Sequence, residues 1–357
     1  MRAAIMRDRR LVVDEMPDPT PGPGEVLVKT LACGICGSDL HALKYADQFV
    51  ENAPGGMSMD LSRDVVMGHE FCAEVLDHGP GTQGRLAAGT RVCSVPITVR
   101  DGASVTVGYS NDVPGGYAEQ MVLTEGMLLP VPNGLSTERA ALTEPMAVGW
   151  HAVEMARLAP EDVALVIGCG PVGLAVIAAL KARDVAPIVA ADFSSRRRQL
   201  AEQLGADVVI DPAQNSPYES WLGLAQVSRS GERLPENPLT GTTELRPGVF
   251  FECVGVPGVI DQMMVGAERG CRFVVVGVCM EPDQIRPMLA IGKELNLQFV
   301  LAYTPEEFAA TLGMVAEGEL NTDPFITGKV GLAEVPQAFE DLANPDAHAK
   351  IIVEPWR

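Results

Sequence analysis

Residues 33–41, CGICGSDLH, hold two cysteines, a serine, an aspartate and a histidine within nine positions. Side chains of these types at that density suit a metal site or a redox dithiol, whereas the glycines alone would suit only a turn. A thioredoxin-like dithiol needs a strand–helix frame around its C-x-x-C, and none surrounds Cys33 and Cys36. A zinc knuckle needs a second such cysteine pair, which the chain lacks. Further on come Gly68-His69-Glu70 and Thr143-Glu144-Pro145. On its own His69 reads as a buried histidine, and Glu144 as a capping or surface acid. Joined with Cys36 they supply one thiolate, one imidazole and one or two carboxylates, an open zinc site with a position left for water or substrate.

A second stretch, VALVIGCGPVGLAVIAALKARDVAPIVAADFSS, spaces Gly168, Gly170 and Gly173 as G-x-G-x-x-G between a strand-like run and a helix-like one. The first glycine permits a tight turn, the second lets backbone approach a pyrophosphate, and the third allows close helix–strand packing. Pro171 and Val172 begin the helix, whose N-terminus favours an anion. Asp192 ends the next strand, where a carboxylate can accept hydrogen bonds from adenosine ribose hydroxyls. That acid favours NAD, because a 2′-phosphate there would meet like charge, while the three arginines at 196–198 pull weakly the other way.

The elements that must position these residues change character midway. Up to about residue 145 the chain alternates short β-branched runs with PGPG, GPG and PNG turns, a mostly β texture. After residue 146 strands and helices alternate (VALVIG, PVGLAVIAALKAR, PIVAADF, SRRRQLAEQLG, DVVI), which implies a parallel sheet with crossover helices. FFECVG and CRFVVVGV read as further buried strands, and the polar, Pro- and Gly-rich residues 212–247 as a surface insertion with one helical stretch near YESWLGLAQVS. Val163 to Leu180 carries no charge, as a membrane helix would, yet Gly168-Cys169-Gly170-Pro171 would break such a helix at its centre.

Composition narrows the partners. The net charge of −20, from 47 acidic against 27 basic residues, would repel nucleic acid and anionic membranes. The eight cysteines are scattered without disulfide spacing, and no apolar run precedes the charges at 7–10, which reads as a cytoplasmic protein.

With these motifs in hand, the chain resembles the zinc-dependent alcohol dehydrogenases of the medium-chain dehydrogenase/reductase family over nearly its whole length. The resemblance implies an α/β fold: a Rossmann doubly wound parallel sheet plus a β-rich GroES-like catalytic domain. The catalytic domain would span 1–147, the dinucleotide-binding domain 148–300, and 301–357 would return to the catalytic domain. It implies Cys36, His69 and Glu144 as zinc ligands, with Glu70 an alternative or exchanging ligand, and Cys33 as a bystander. Asp39 would hold the His69 ring, and Ser38 and His41 would relay the alcohol proton to solvent. Arg197 would lie near the adenosine ribose, Val276, Gly277, Val278, Val300, Leu301 and Ala302 beside the nicotinamide, and Lys350 near the pyrophosphate. Expected cofactors are one catalytic zinc and NAD; expected partners are a small alcohol or carbonyl substrate and further copies of the chain in a homodimer or homotetramer.

Departures from the family pattern refine this. The segment 85–123 holds only Cys93 where relatives carry four cysteines, so no structural zinc is expected. Cys72 and Ala73 follow G-H-E where glycine is common. Ala42 and Ala302 stand where the polyol branch carries a tyrosine and an arginine, and Tyr45, Phe49, Met57, Met59 and Trp150 could line an apolar cleft. These features favour an apolar primary or secondary alcohol. The alternatives are a polyol, diol or amino-alcohol dehydrogenase of the same family, or a zinc-free quinone or enone reductase, which would need no Cys36, His69 and Glu144 set.

Overall fold

The computed structural model describes every residue except 53–56, 58, 101 and 240. Two units form: Met1–Pro145 together with Thr304–Arg357, and Met146–Tyr303. Each builds its own sheet.

In the second unit six strands run parallel in the spatial order Val208–Ile210, Ile188–Ala191, Val163–Ile167, Gly248–Glu252, Arg272–Val275, Asn296–Phe299. Sequence order reverses at Val163–Ile167, which makes its carboxyl end the crevice where a doubly wound sheet takes a ligand. The central strands are buried on both faces, as their unbroken Val, Ala, Leu and Ile content requires. Helix Pro171–Ala182 follows the first strand directly, with Pro171 preset for its first turn and Gly173 to Leu180 buried against the sheet. Helix Ser195–Leu204 is capped by Ser194 and ends at Gly205, whose φ of 111° suits a residue without a Cβ.

The expected surface insertion over 212–247 is corrected by the structure. Pro217–Ala225 is a crossover helix, and Trp221 on it is fully buried. Its indole donates to the Val163 carbonyl at 3.1 Å, and its ring meets Phe250 edge-on at 4.9 Å, while Phe250 stacks on Phe273 at 5.5 Å. Burial of that aromatic cluster makes the segment part of the core. The loop proper is 226–247, held by the bridges Val227–Arg233 and Glu236–Thr243 and by Arg246, which donates to the carbonyls of Glu161 and Ala186.

In the first unit a seven-stranded sheet is organised around the long strand Glu25–Gly34. Glu70–His78 pairs antiparallel on one side of it, and Lys350–Val353, from the end of the chain, antiparallel on the other. Gln120–Thr124 pairs with its first half, and Ile326–Val330 lies outside Lys350–Val353. Helix Gly37–Lys44 leaves directly from the end of the central strand. Among the described residues no helix is long and apolar enough to cross a membrane; Val163 to Leu180 resolves into a strand, a turn and a helix.

Candidate metal centre and dinucleotide turn

Register assembles the first site. Gly34 stands opposite Glu70, and Ile352 opposite Gly34, so the start of Glu70–His78, the start of Lys350–Val353 and the end of the central strand meet at one end of the sheet. Cys36 lies two residues beyond Gly34, and His69 one residue before Glu70. The ligand atoms of Cys36, His69 and Glu70 accordingly fall within 4.8 Å of one another. Two glycines make this possible. A Cβ on Gly34 would collide with the Glu70 carboxylate, and Gly68 has φ +100° with the Tyr117 ring and the Cys33 sulfur closed over it.

Asp39 is the buried anchor beside this set. Its Oδ2 accepts the Cys36 amide at 3.0 Å and the Tyr117 hydroxyl at 2.7 Å. Its Oδ1 accepts from Tyr109 at 2.9 Å and faces His69 Nδ1 at 3.5 Å, ion-pair range. Burial pushes the Asp39 carboxyl up, but the charge of His69 and the hydrogen bonds outweigh it and hold the group below the usual carboxylate range. Conversely, burial presses His69 down while the charges of Asp39 and Cys36 carry it well above its ordinary value. The Tyr109 hydroxyl also lies 2.8 Å from Ser38 Oγ. It has one proton, and a carboxylate can only accept, so Tyr109 donates to Asp39 and Ser38 donates to Tyr109. His41 is half-buried, its Nδ1 without a hydrogen-bond partner, and burial and Lys44 lower its pKa.

One assignment changes. Lys350 does not present its ammonium to a pyrophosphate: the side chain is fully buried, and its three donors go to Glu70 Oε1 at 2.6 Å, Glu70 Oε2 at 2.7 Å and the Ile35 carbonyl at 3.0 Å. Burial depresses the ammonium, yet Glu70, Cys36 and Glu144 keep it above its ordinary value. The carboxylate that lies with Cys36 and His69 is Glu70, expected as the alternative ligand, while Glu144 is buried in the first turn of helix Thr143–Met155 and acts on Lys350 through its charge. Cys33 is buried, donating to the Gly34 carbonyl at 3.6 Å, with its thiol pushed up by burial.

A thiol, an imidazole and a carboxylate at this spacing fit zinc by chemistry, size and number, and Asp39 behind His69 is the usual orienting acid. Tyr109, Tyr117 and the pairing of Lys350 with Glu70 went unread in the sequence. The signal available was a single lysine heading the otherwise apolar strand KIIV, where a buried cation demands a partner. Beside the metal group, Tyr109 lies 5.1 Å from the His69 ring and 5.2 Å from Phe49; Met59 and Ala42 are buried and Met57 is half-buried. Tyr45 sits edge-on to His41 at 6.1 Å.

In the second unit the three glycines of the turn have separate tasks. Gly168 has φ +91°, and a side chain on Gly173 would strike the Gly168 carbonyl. Gly170 caps the helix and has only Arg197 Nη1, at 3.8 Å, near the position of a Cβ, so its surface is open to a ligand. Asp192 Oδ2 accepts the Cys169 amide and Oδ1 the Ser194 amide, each at 2.8 Å. Arg197 Nη1 is 4.0 Å from Asp192, and its Nε is buried without a partner. Val276 to Val278 and Val300 to Ala302 follow the strands Arg272–Val275 and Asn296–Phe299 at their carboxyl ends, with Val278 and Leu301 exposed and Ala302 at φ +54°. Trp150, on the same unit, is covered by the Arg183 guanidinium at 4.4 Å.

Two family models match the chain. The alcohol dehydrogenase GroES-like domain matches residues 22–133, and the zinc-binding dehydrogenase domain residues 171–317. The (R,R)-butanediol dehydrogenase of Bacillus subtilis is 31% identical over 365 residues, spanning 99% of this chain and 100% of its own. The sorbitol dehydrogenase of Bos taurus is 28% identical over 344 residues, spanning 92% of this chain and 89% of its own. A zinc-binding dehydrogenase from Sinorhizobium meliloti, solved with NADP bound, superposes with a TM-score of 0.79 at 26% identity over 99% of both chains.

Because Asp39 depends on its hydroxyl donors, Tyr117→Phe should lower the unfolding free energy by about 1.5–3 kcal/mol, the range for a hydrogen bond to a charged group. Urea unfolding at neutral pH measures it; unchanged stability would mean that Tyr117 does not support the Asp39 charge.

Proposed function

The chain belongs to the zinc-dependent alcohol dehydrogenases of the medium-chain dehydrogenase/reductase family, and from that premise we propose that it moves hydride between a small secondary alcohol and NAD, reversibly giving the ketone. The observation that carries the reading is the group of Cys36, His69 and Glu70 in a chain that also bears a complete G-x-G-x-x-G turn with its acid. A zinc-free reductase of this fold would have no use for that group.

Cys36 and His69 would hold one zinc, with Glu70 and Glu144 as the carboxylates available to its protein shell. A bound zinc supplies the Lewis acid that lowers the pKa of an alcohol hydroxyl, and a bound nicotinamide takes the hydride. The protein's part is to place and move the proton. Since Ser38 gives its own proton to Tyr109, its oxygen keeps lone pairs with which to accept a hydrogen bond from a substrate hydroxyl. His41, kept neutral by burial and Lys44, can take up a proton at its unpartnered Nδ1. Asp39 fixes the His69 ring and with it the direction of the ring's other nitrogen.

Several features support the finer choices. Each Asp192 oxygen accepts one backbone amide, leaving lone pairs for ribose hydroxyls and a negative charge against a 2′-phosphate. The Phe49, Tyr109 and His69 rings give the metal group an apolar flank, and Ala42 offers no partner to extra hydroxyls. A short alcohol with one apolar side, vicinal diols included, fits better than a long polyol; the names of the relatives span both classes. A homodimer or homotetramer is supported by the last strand of the parallel sheet and the segments flanking it, where Phe299 (64% exposed) on the strand, Leu301 (64%) just after it, and Ile291 (70%) and Met288 (77%) on helix Pro287–Lys293 leave apolar surface uncovered.

Metal analysis of the purified chain should return about one zinc, and Cys36→Ser should lose both metal and turnover; full activity without metal would overturn the assignment. With butane-2,3-diol as substrate, NAD should support a higher kcat/KM than NADP, and sorbitol should fall at least about tenfold below the diol, each unpaired buried hydroxyl costing about 1–3 kcal/mol. A sorbitol advantage would refute the pocket reading. Light scattering should find two or four chains, with Phe299→Lys shifting the assembly toward the monomer; a native monomer would refute the interface.

A further inference from the structure

Glu252 is a buried acid at the end of the strand Gly248–Glu252 in the second unit. It stands opposite Ile167 on one side and Val275 on the other, and Ile167 is the last residue before the glycine turn. Its strand therefore flanks the point where sequence order reverses, at whose carboxyl ends a doubly wound sheet takes a dinucleotide. Glu252 Oε1 accepts the amides of Val254 at 2.8 Å and Gly255 at 2.9 Å, and the Gly277 amide reaches the carboxylate from the end of the neighbouring strand. The main-chain carbonyl of Glu252 accepts the Val276 and Gly277 amides, each at 2.9 Å. The backbone is packed closely here. A Cβ on Gly277 would stand 2.6 Å from Glu252 Oε2, one on Gly255 would strike the Val278 backbone, and one on Gly168 would strike Val254. The glycine turn and the segments that follow two strands thus close around one carboxylate.

Asp192 follows the strand on one side of Val163–Ile167, and Glu252 ends the strand on the other. A dinucleotide with its adenosine ribose at Asp192 and its pyrophosphate at the turn must carry its nicotinamide past the turn, over the strands on the Glu252 side. The adenosine half is the same in both redox forms, whereas the nicotinamide ring is cationic when oxidised and neutral when reduced. Resting on the NAD reading above, we propose that the Glu252 carboxylate biases the site toward the oxidised cofactor, its negative charge attracting the ring in the one form that is positive. The environment of Glu252 suits this. Backbone donors to the carboxylate favour its ionised form, although burial works against them and raises the carboxyl. Its partners are amides, not a cation. An anion held by neutral donors keeps its full charge for a cation nearby, and burial spares that charge from screening by salt. Hydride transfer removes the ring charge, so the attraction is present before reaction with an alcohol and absent after it.

The test measures, by calorimetry on the purified full chain without alcohol or carbonyl compound, the dissociation constants of NAD⁺ and NADH separately. In Glu252→Gln the constant for NAD⁺ should rise about tenfold while that for NADH moves less than about twofold, the scale of one unit charge acting over several ångströms in a protein. Glu252→Asp keeps the charge but shortens the reach to the Val254 and Gly255 amides. It should weaken both forms together and leave their ratio within about twofold of the native value. This second variant decides even where Glu252→Gln fails to fold, since a ratio shifted against NAD⁺ in Glu252→Asp would show that the charge does not set it. A Glu252→Gln protein that binds both forms as the native chain does, or weakens both equally, overturns the role of the charge while leaving the NAD reading intact. A native chain that binds neither form overturns both.

Discussion

The metal centre depends on one register: Gly34 opposite Glu70 in the antiparallel pair of Glu25–Gly34 and Glu70–His78. Side chains alternate faces along a strand, so a slip of one residue would send Glu70 to the other face of the sheet and move His69 out of step with Cys36. Burial guards against such a slip. Phe71, Cys72, Ala73 and Val75 are fully or almost fully buried along the second strand, and Val26, Val28, Ala32 and Cys33 along the first. Shifting either strand would exchange apolar contacts for exposed backbone across the whole pair. The chemistry at the strand ends is therefore held by hydrophobic burial some distance from any reacting atom.

Charge explains the arrangement around that end. Asp39, Glu70 and Glu144 are buried acids, and a buried carboxylate persists only where donors or cations meet it. Asp39 is met by the Cys36 amide and two tyrosine hydroxyls, donors that bring no charge of their own. Glu70 is met by a full cation. The two solutions differ in charge. Neutral donors leave Asp39 anionic toward His69, which suits an acid that orients a ligand, whereas Glu70 is balanced by the full positive charge of Lys350. Lys350 can do this only because Gly34 leaves the acid room and Ile35 anchors the base.

Much of this was legible from residue types and spacing, and the gaps have physical causes. The G-x-G-x-x-G turn, its strand, its helix and Asp192 are contiguous, so local rules sufficed for the turn. Cys36, His69 and Glu70 were legible as ligand types, but that Glu70 lies beside the other two is a matter of strand register, which periodicity does not reveal. Lys350 pairs with a residue 280 positions away, and no local pattern announces such a partner. Tyr109 and Tyr117 lie in a segment whose informative feature in the sequence was the cysteines it lacks. Helix Pro217–Ala225 was legible as a helix near YESWLGLAQVS, but its burial was hidden by composition: the Pro- and Gly-rich loop after it made the whole stretch look like surface, although a tryptophan among leucines is a core signal. Sequence reading did best where function is built from neighbours in the chain, and worst where it is built from neighbours across a sheet.

That distinction bears on why the chain returns to its first unit after completing the second. Residues 146–303 form a contiguous unit with a complete parallel sheet, whereas 1–145 lacks two strands until 304–357 arrives. One of those strands supplies the cation for Glu70. Without it the first segment would carry a buried carboxylate with no counter-charge, beside an exposed edge of its central strand, two liabilities that the single strand Lys350–Val353 removes together. The C-terminal segment is thus part of the site although it contributes no ligand atom, because the cation that meets Glu70 comes from it.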